Sequence, residues 1–206
     1  MIDRREVLRY LGTDTSDGIN DIMKAAIKKA SALSPKHIAA EFSVREITQE
    51  GVFLENGFFL KGGLAKNSLK ECDAVIALAA TLTLEADRLI GTAGNIVNQA
   101  VMNAVLSAAV EDYLDAVEAR LNAEYNKKGL YLTKRFSPGY YDLPLSLQSD
   151  ILKATNAEKL LGIRLTPNML LVPVKSVTAL IGISKNPRDN SKHKCADCDK
   201  PCVYRR

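Results

Sequence analysis

The chain has 206 residues, 47% hydrophobic and 25% charged, which is enough for one well-buried core and too little for a second full domain. Its net charge of +4 is unevenly placed: residues 185–206 hold seven of the 28 Lys/Arg and three of the 24 Asp/Glu, so the first 184 residues are electrically neutral. A neutral body argues against a nucleic-acid-binding protein. The longest apolar run, Ala74–Leu82, is too short to span a membrane, and the N-terminus lacks a signal-peptide core, so the cytoplasm is the expected compartment.

In chain order, Asp3 to Tyr10 reads as a short helix, with Asp3 and Glu6 at capping-box spacing and Gly12 as its stop. Ile19, Ile22, Met23, Ala26, Ile27 and Ala30 recur at helical spacing, and Pro35 ends that pattern. Residues 38–47 carry a weak strand pattern. Asn56-Gly57 between two apolar runs predicts a hairpin over 52–60 with a two-residue turn. Residues 64–71 suit a short helix and 73–82 a buried strand. The longest helix is expected from about Ala93 to Tyr125, Ala-rich in its middle and ended by Lys127-Lys128-Gly129. Tyr131–Phe136 reads as a strand, Ser146 as the start of a helix and Asn156 as the cap of a short helix over 157–161. Residues 169–174 and 176–184 read as two β-rich segments. This order predicts an α+β fold: a mainly antiparallel twisted sheet with a long Ala-rich helix and several shorter helices.

The segment Arg135-Phe-Ser-Pro-Gly-Tyr-Tyr-Asp-Leu-Pro144 stands out. A Pro before a Gly makes a tight turn whose backbone a ligand can approach, and an Arg three residues earlier offers a planar fork for a carboxylate or phosphate. The same residues also suit a strand end followed by a structural turn. Wider context favours a binding loop. Arg135-x-Ser137-Pro138-Gly139-Tyr140, then Pro144, a helix carrying Gln148, Gly162-Ile-Arg-Leu-Thr166, Met169, Pro173 and Ser176-Val-Thr-Ala179 together resemble the activation domain of cobalamin-dependent methionine synthase, in its short stand-alone form. The resemblance covers roughly residues 130–184 in spacing and order, and the N-terminal half only through its long Ala-rich helix.

That resemblance implies a domain spanning residues 1–184 that holds the sulfonium methyl of S-adenosylmethionine over a cobalamin belonging to a partner methionine synthase subunit. The methyl would trap cobalt after reduction by a flavodoxin- or ferredoxin-like donor, so the chain would act as an activation component in methionine biosynthesis. Arg135 would bind the ligand's carboxylate, Ser137, Pro138 and Gly139 would line its path, and Tyr140 would meet the corrin face. Ser137 stands where larger relatives carry Ala, and Tyr141 where they often have Pro. Glu111 and Asp112 lie in the helix from which acidic site residues are expected, although an acidic pair there also suits a solvated helix face. A tyrosine expected after the final strands is missing, which points to an adenosine pocket built differently.

Residues 185–206 form a basic Cys-rich tail with His193-x-Cys195-x2-Cys198-x3-Cys202. In a cytosolic chain such close thiols favour a metal, zinc as a clip or an iron–sulfur cluster as an electron entry point, with His193 or Cys72 as the fourth ligand. A reduced tail without metal is the alternative, and the basic charge suits an acidic partner. Elsewhere, His37 reads as a surface-loop residue and Cys72 as a small buried hydrophobe. Two other functions fit parts of the sequence: reactivation of another corrinoid methyltransferase, or a zinc-tail interaction module without catalysis.

Overall fold

A computed structural model describes residues 2–187. Its elements run α1 (Arg4–Leu11), α2 (Asn20–Ala30), β1 (Lys36–Ile47), β2 (Gly51–Leu54), β3 (Phe59–Lys61), α3 (Gly63–Leu69), β4 (Ala74–Thr81), α4 (Thr83–Gly91), α5 (Ile96–Asn126), β5 (Tyr131–Leu132), α6 (Leu147–Thr155), α7 (Ala157–Leu161), β6 (Arg164–Leu165), β7 (Leu171–Val172) and β8 (Ser176–Ser184). Six strands make one antiparallel sheet in the order β3-β2-β1-β4-β8-β5, and β6 and β7 pair separately. The fold is α+β, as the alternation of helices with hairpin-linked strands predicts.

The alternation of side chains along the central strands separates two layers. Ile76 and Leu78 of β4 and Val177, Ile181 and Ile183 of β8 face α5, where they meet Leu114, Val117 and Leu121. Val75, Ala77 and Leu180 point to the opposite face and pack with Leu69 of α3 and Leu147 and Ile151 of α6. Because β4 is covered on both faces, it reads as a continuous apolar run rather than an alternating one. The N-terminal half of α5 extends past the sheet and is enclosed by α1, α2 and α4 through Val7, Met23, Ala86 and Val105. A fully buried leucine such as Leu114 contributes roughly 2 kcal/mol relative to an exposed one.

The structure differs from the sequence reading in instructive places. The weakest expected strand is the longest, because β1 pairs with β4 over Lys36–Ser43 and then passes to β2 across an irregularity between Val44 and Glu46. Helix α4 was not anticipated, although Ala86, Leu89 and Ile90 fall at helical spacing. The hairpin forms, but its loop is wider than two residues: Gly57 N–H donates to Leu54 O (3.1 Å) and only Gly57, at φ 88°, is left-handed. Asp3 caps α1 through the Arg5 N–H (2.8 Å), and Glu6 pairs with Arg9 (2.6 Å). Asn156 joins α6 to α7 through its left-handed backbone, with no side-chain cap. The expected strand 131–136 is reduced to β5 and a single bridge between Phe136 and Leu180. Similarly, only Leu171–Val172 of the expected 169–174 strand is extended, and it joins β6 rather than the main sheet.

His37 is not a loop residue. It sits in β1 on the α5 side, its Nδ1 2.6 Å from the Tyr113 hydroxyl and its Nε2 2.8 Å from an Arg120 amine. Arg120 can only donate, so Nε2 accepts and carries no proton, and Nδ1–H donates to Tyr113. One turn further along α5, Tyr125 donates to Glu41 (2.6 Å). These contacts fasten the outer side of α5 to β1. Burial, then the Arg120 charge, hold His37 below its ordinary value of 6.5. A depressed pKa stabilises the neutral form, so this contribution is complete above pH 6.5 and is lost as pH falls through the folded value. Thermal melts from about pH 7.5 down to about pH 5 are expected to show a falling Tm that His37→Gln flattens. Superimposable profiles for the two proteins would exclude His37 as the cause.

Candidate functional site

On the side of α5 away from β1, Glu111, Asp115 and Glu118 are spaced by four and three residues and therefore form one stripe. Arg135 meets that stripe. Its position is set by the next residue, since Phe136 and Leu180 exchange both backbone hydrogen bonds (3.0 and 2.8 Å) and pin the chain against the edge of β8. Nη1 of Arg135 donates to Glu118 (2.6 Å), and Nη2 serves both Glu111 (2.8 Å) and Asp115 (2.6 Å). Burial works against the charge, but hydrogen bonds to Glu111 and Asp115 override it and hold the guanidinium above its ordinary pKa. Three carboxylates against one cation leave the cluster acidic. Among the three, the Asp115 side chain is 63% exposed, against 17% for Glu118 and 26% for Glu111.

After Phe136 the chain leaves the sheet through Ser137, buried Pro138 and Gly139, whose φ is 91°. The turn is closed by Gly139 N–H to Leu143 O (2.9 Å) and Leu143 N–H to Tyr140 O (3.0 Å), and it presents Tyr140 and Tyr141 outward. Its far end is anchored by Asp142, which accepts from Gly63 N–H (2.5 Å) and Leu64 N–H (3.0 Å) at the start of α3. Those backbone donors, Leu64 and then Gly63, lower the Asp142 pKa. Gly62 permits the approach, since a Cβ there would fall 2.9 Å from an Asp142 carboxylate oxygen. The loop is therefore tied at both ends.

After Ser137 no described residue pairs with the outer edge of β8 from Thr178 to Ser176, while β4 covers its inner edge. Thr178 has the same parity as Leu180, so its backbone N–H and C=O point to that outer edge. At the far end of β8 lies Lys175, 8% exposed, whose ammonium donates to Ser107 Oγ of α5 (2.7 Å). On the opposite face of the sheet, Gln148 donates to Met169 O (2.8 Å), which fixes the segment leading into β8.

Of the residues singled out by sequence, Arg135, Ser137, Pro138, Gly139 and Tyr140 lie on one stretch that runs from the β8 edge into the turn. Glu111 joins them through Arg135 and is not a solvated helix face; Asp112 is not among the Arg135 partners. Asp115, Glu118 and Asp142 were missed. The first two were readable as an acidic stripe beside Leu114, Val117 and Leu121, whereas nothing local marks Asp142, whose partners lie 78 and 79 residues away. Cys72 is 6% exposed and directs its thiol at Ser68 O (3.8 Å). His193, Cys195, Cys198 and Cys202 lie outside the described residues. No helix among the described residues is long and apolar enough to cross a membrane.

No family model and no curated protein matches the chain. Among solved structures, the MetH reactivation domain bound to AdoHcy is similar, with a TM-score of 0.63 and 17% sequence identity over 88% of this chain and 70% of that one. At that identity the likeness shows a shared fold.

The cluster has a direct consequence for stability. Arg135→Ala leaves three mutually repelling carboxylates beside the sheet and is expected to cost about 3 kcal/mol in urea unfolding. A loss within experimental error would mean that solvent already screens the stripe.

Proposed function

We propose that this chain binds S-adenosylmethionine in the groove between α5, the edge of β8 and the Ser137–Tyr140 turn, and serves as the reactivation subunit of a cobalamin-dependent methionine synthase. The cobalamin would be held by a partner protein. The observation that carries this reading is the Arg135 cluster beside the turn, on a fold shared with a reactivation domain bound to AdoHcy.

The chemistry of the cluster suits the ligand. S-adenosylmethionine carries one carboxylate, one ammonium and one sulfonium, so it needs one cation and an excess of anions. Arg135 already spends its fork on three carboxylates. The ligand's carboxylate can enter by displacing Asp115, the most exposed of them, from Nη2, with Glu111 and Glu118 keeping the guanidinium oriented. Displaced Asp115 is then available to the ligand's ammonium. Ser137, Pro138 and Gly139 line the ligand with a turn that needs no reorganisation, since both its ends are tied. Exposed Tyr140 faces the partner.

The partner's cobalamin, reduced by one electron from a flavodoxin- or ferredoxin-like donor, supplies the methyl acceptor. The S–CH3 bond would break with its electron pair left on sulfur, the methyl would be taken up through an electron pair of the reduced acceptor, and S-adenosylhomocysteine would remain. This chain positions the sulfonium and excludes competing nucleophiles. Another corrinoid methyltransferase as client follows the same mechanism, and reconstitution with each purified corrinoid protein separates the two.

Calorimetric titration of S-adenosylmethionine is expected to give saturable binding that Arg135→Lys, which keeps the charge but loses the fork, weakens roughly tenfold. No binding by the wild-type chain, alone or with cobalamin-loaded partner, would overturn the reading. The tail is proposed to hold a zinc ion or an iron–sulfur cluster through His193, Cys195, Cys198 and Cys202. Cys72, buried against Ser68, is the alternative to His193 as fourth ligand. Anaerobically purified protein should contain stoichiometric zinc, or iron with acid-labile sulfide; neither would leave the tail metal-free.

A further inference from the structure

Lys175 is a cation that the cluster at Arg135 does not use. Its residue is 8% exposed, and no carboxylate lies within ion-pair distance of it among the described residues. Its ammonium donates to Ser107 Oγ (2.7 Å), and Ser107 Oγ–H donates in turn to Asn103 O (3.0 Å). An ammonium has three donors, and Ser107 Oγ is the one side-chain acceptor it meets among the described residues. Asp87 is a compensating charge, but its carboxylate is directed to the Val174 N–H (3.1 and 3.2 Å). Burial accordingly pushes the Lys175 pKa down, with Asp87 only partly opposing. A buried ammonium held by a single hydroxyl is costly unless something else completes its coordination.

Its placement indicates what that is. Ser107, Glu111, Asp115 and Glu118 follow one another along one side of α5, so Lys175 and Arg135 grip the same stripe at different heights. Eight residues separate Ser107 from Asp115, about 12 Å along the helix axis. An amino acid joined to a nucleoside through one sulfur spans such a distance. With the amino-acid end at Arg135, the nucleoside end lies toward Ser107 and Lys175, beside the open edge of β8.

We infer that Lys175, oriented by Ser107, donates hydrogen bonds to the nucleoside half of the ligand, to ribose oxygens or an adenine ring nitrogen. This rests on the S-adenosylmethionine reading above.

The test uses the full chain and two probes: S-adenosylmethionine, and 5′-methylthioadenosine, which keeps the nucleoside and lacks the amino-acid carboxylate. Lys175→Met retains the length of the side chain and removes its donors. It is expected to weaken both ligands by the same factor, roughly tenfold, while Arg135→Lys weakens only S-adenosylmethionine. Ser107→Ala, which leaves the ammonium but not its orientation, gives a smaller loss on both probes and serves if Lys175→Met does not fold. Unchanged binding of both probes by Lys175→Met, or by Ser107→Ala in its place, overturns the inference. So does a loss confined to S-adenosylmethionine, or a wild type that binds S-adenosylmethionine but not the nucleoside probe. Wild-type protein that binds neither probe, alone or with cobalamin-loaded partner, refutes the underlying function instead.

Discussion

The grip of one guanidinium on three carboxylates of a single helical stripe ties the two halves of this molecule together. Arg135 belongs to the strand-edge segment, Glu111, Asp115 and Glu118 to the longest helix, and the bonds between them set the distance from α5 to the free edge of β8. On the opposite side the same helix is held by neutral His37 with Tyr113 and Arg120, and by Tyr125 with Glu41. Apolar packing of Leu114, Val117 and Leu121 fixes α5 on the sheet but would permit it to roll. Polar contacts on both flanks prevent that, since a directional bond specifies an angle where burial specifies only an area.

The proposed binding groove would be a product of that arrangement. Its floor would be the part of β8 whose outer edge loses its neighbour when the chain turns away at Ser137, and its wall the flank of α5. A short stretch of sheet edge that would invite another strand is kept narrow by the helix and by the Pro138–Gly139 turn. Asp142 then carries the turn across to α3, so the exposed tyrosines stand on a support fixed at both ends.

How much of this was legible in the sequence depended on whether the determinant was local. The long helix, β4 and β8 were readable because their apolar patterns are long and uninterrupted. The site turn was readable because Pro138-Gly139 has few conformations, and Arg135 because a fork beside such a turn is uncommon. His37 was misread because its partners are 76 and 83 residues away, beyond any local pattern. The same holds for Asp142, which looks like an ordinary loop acid until α3 is placed beside it. Lys175 carried no signal at all: a lysine before a strand is normally solvated, and only the arrival of α5 buries it. Helix α4 was the avoidable omission, nine residues with clear spacing set between two stronger elements.

The order of strands in the sheet also bears on how the chain is made. β4 is the most apolar strand and lies at the centre, yet its neighbour on one side, β8, comes 95 residues later in the register Thr81 to Ser176. During synthesis β4 can pair with β1 as soon as it leaves the ribosome. Its other edge must wait until nearly all the described residues have emerged. Over that interval Ala74-Val-Ile-Ala-Leu-Ala-Ala-Thr81 is a half-covered, uncharged strand, the kind of surface on which nascent chains misassociate. The hazard is greatest for chains released early, because a truncation before Ser176 removes β8, the strand that covers that edge among the described residues.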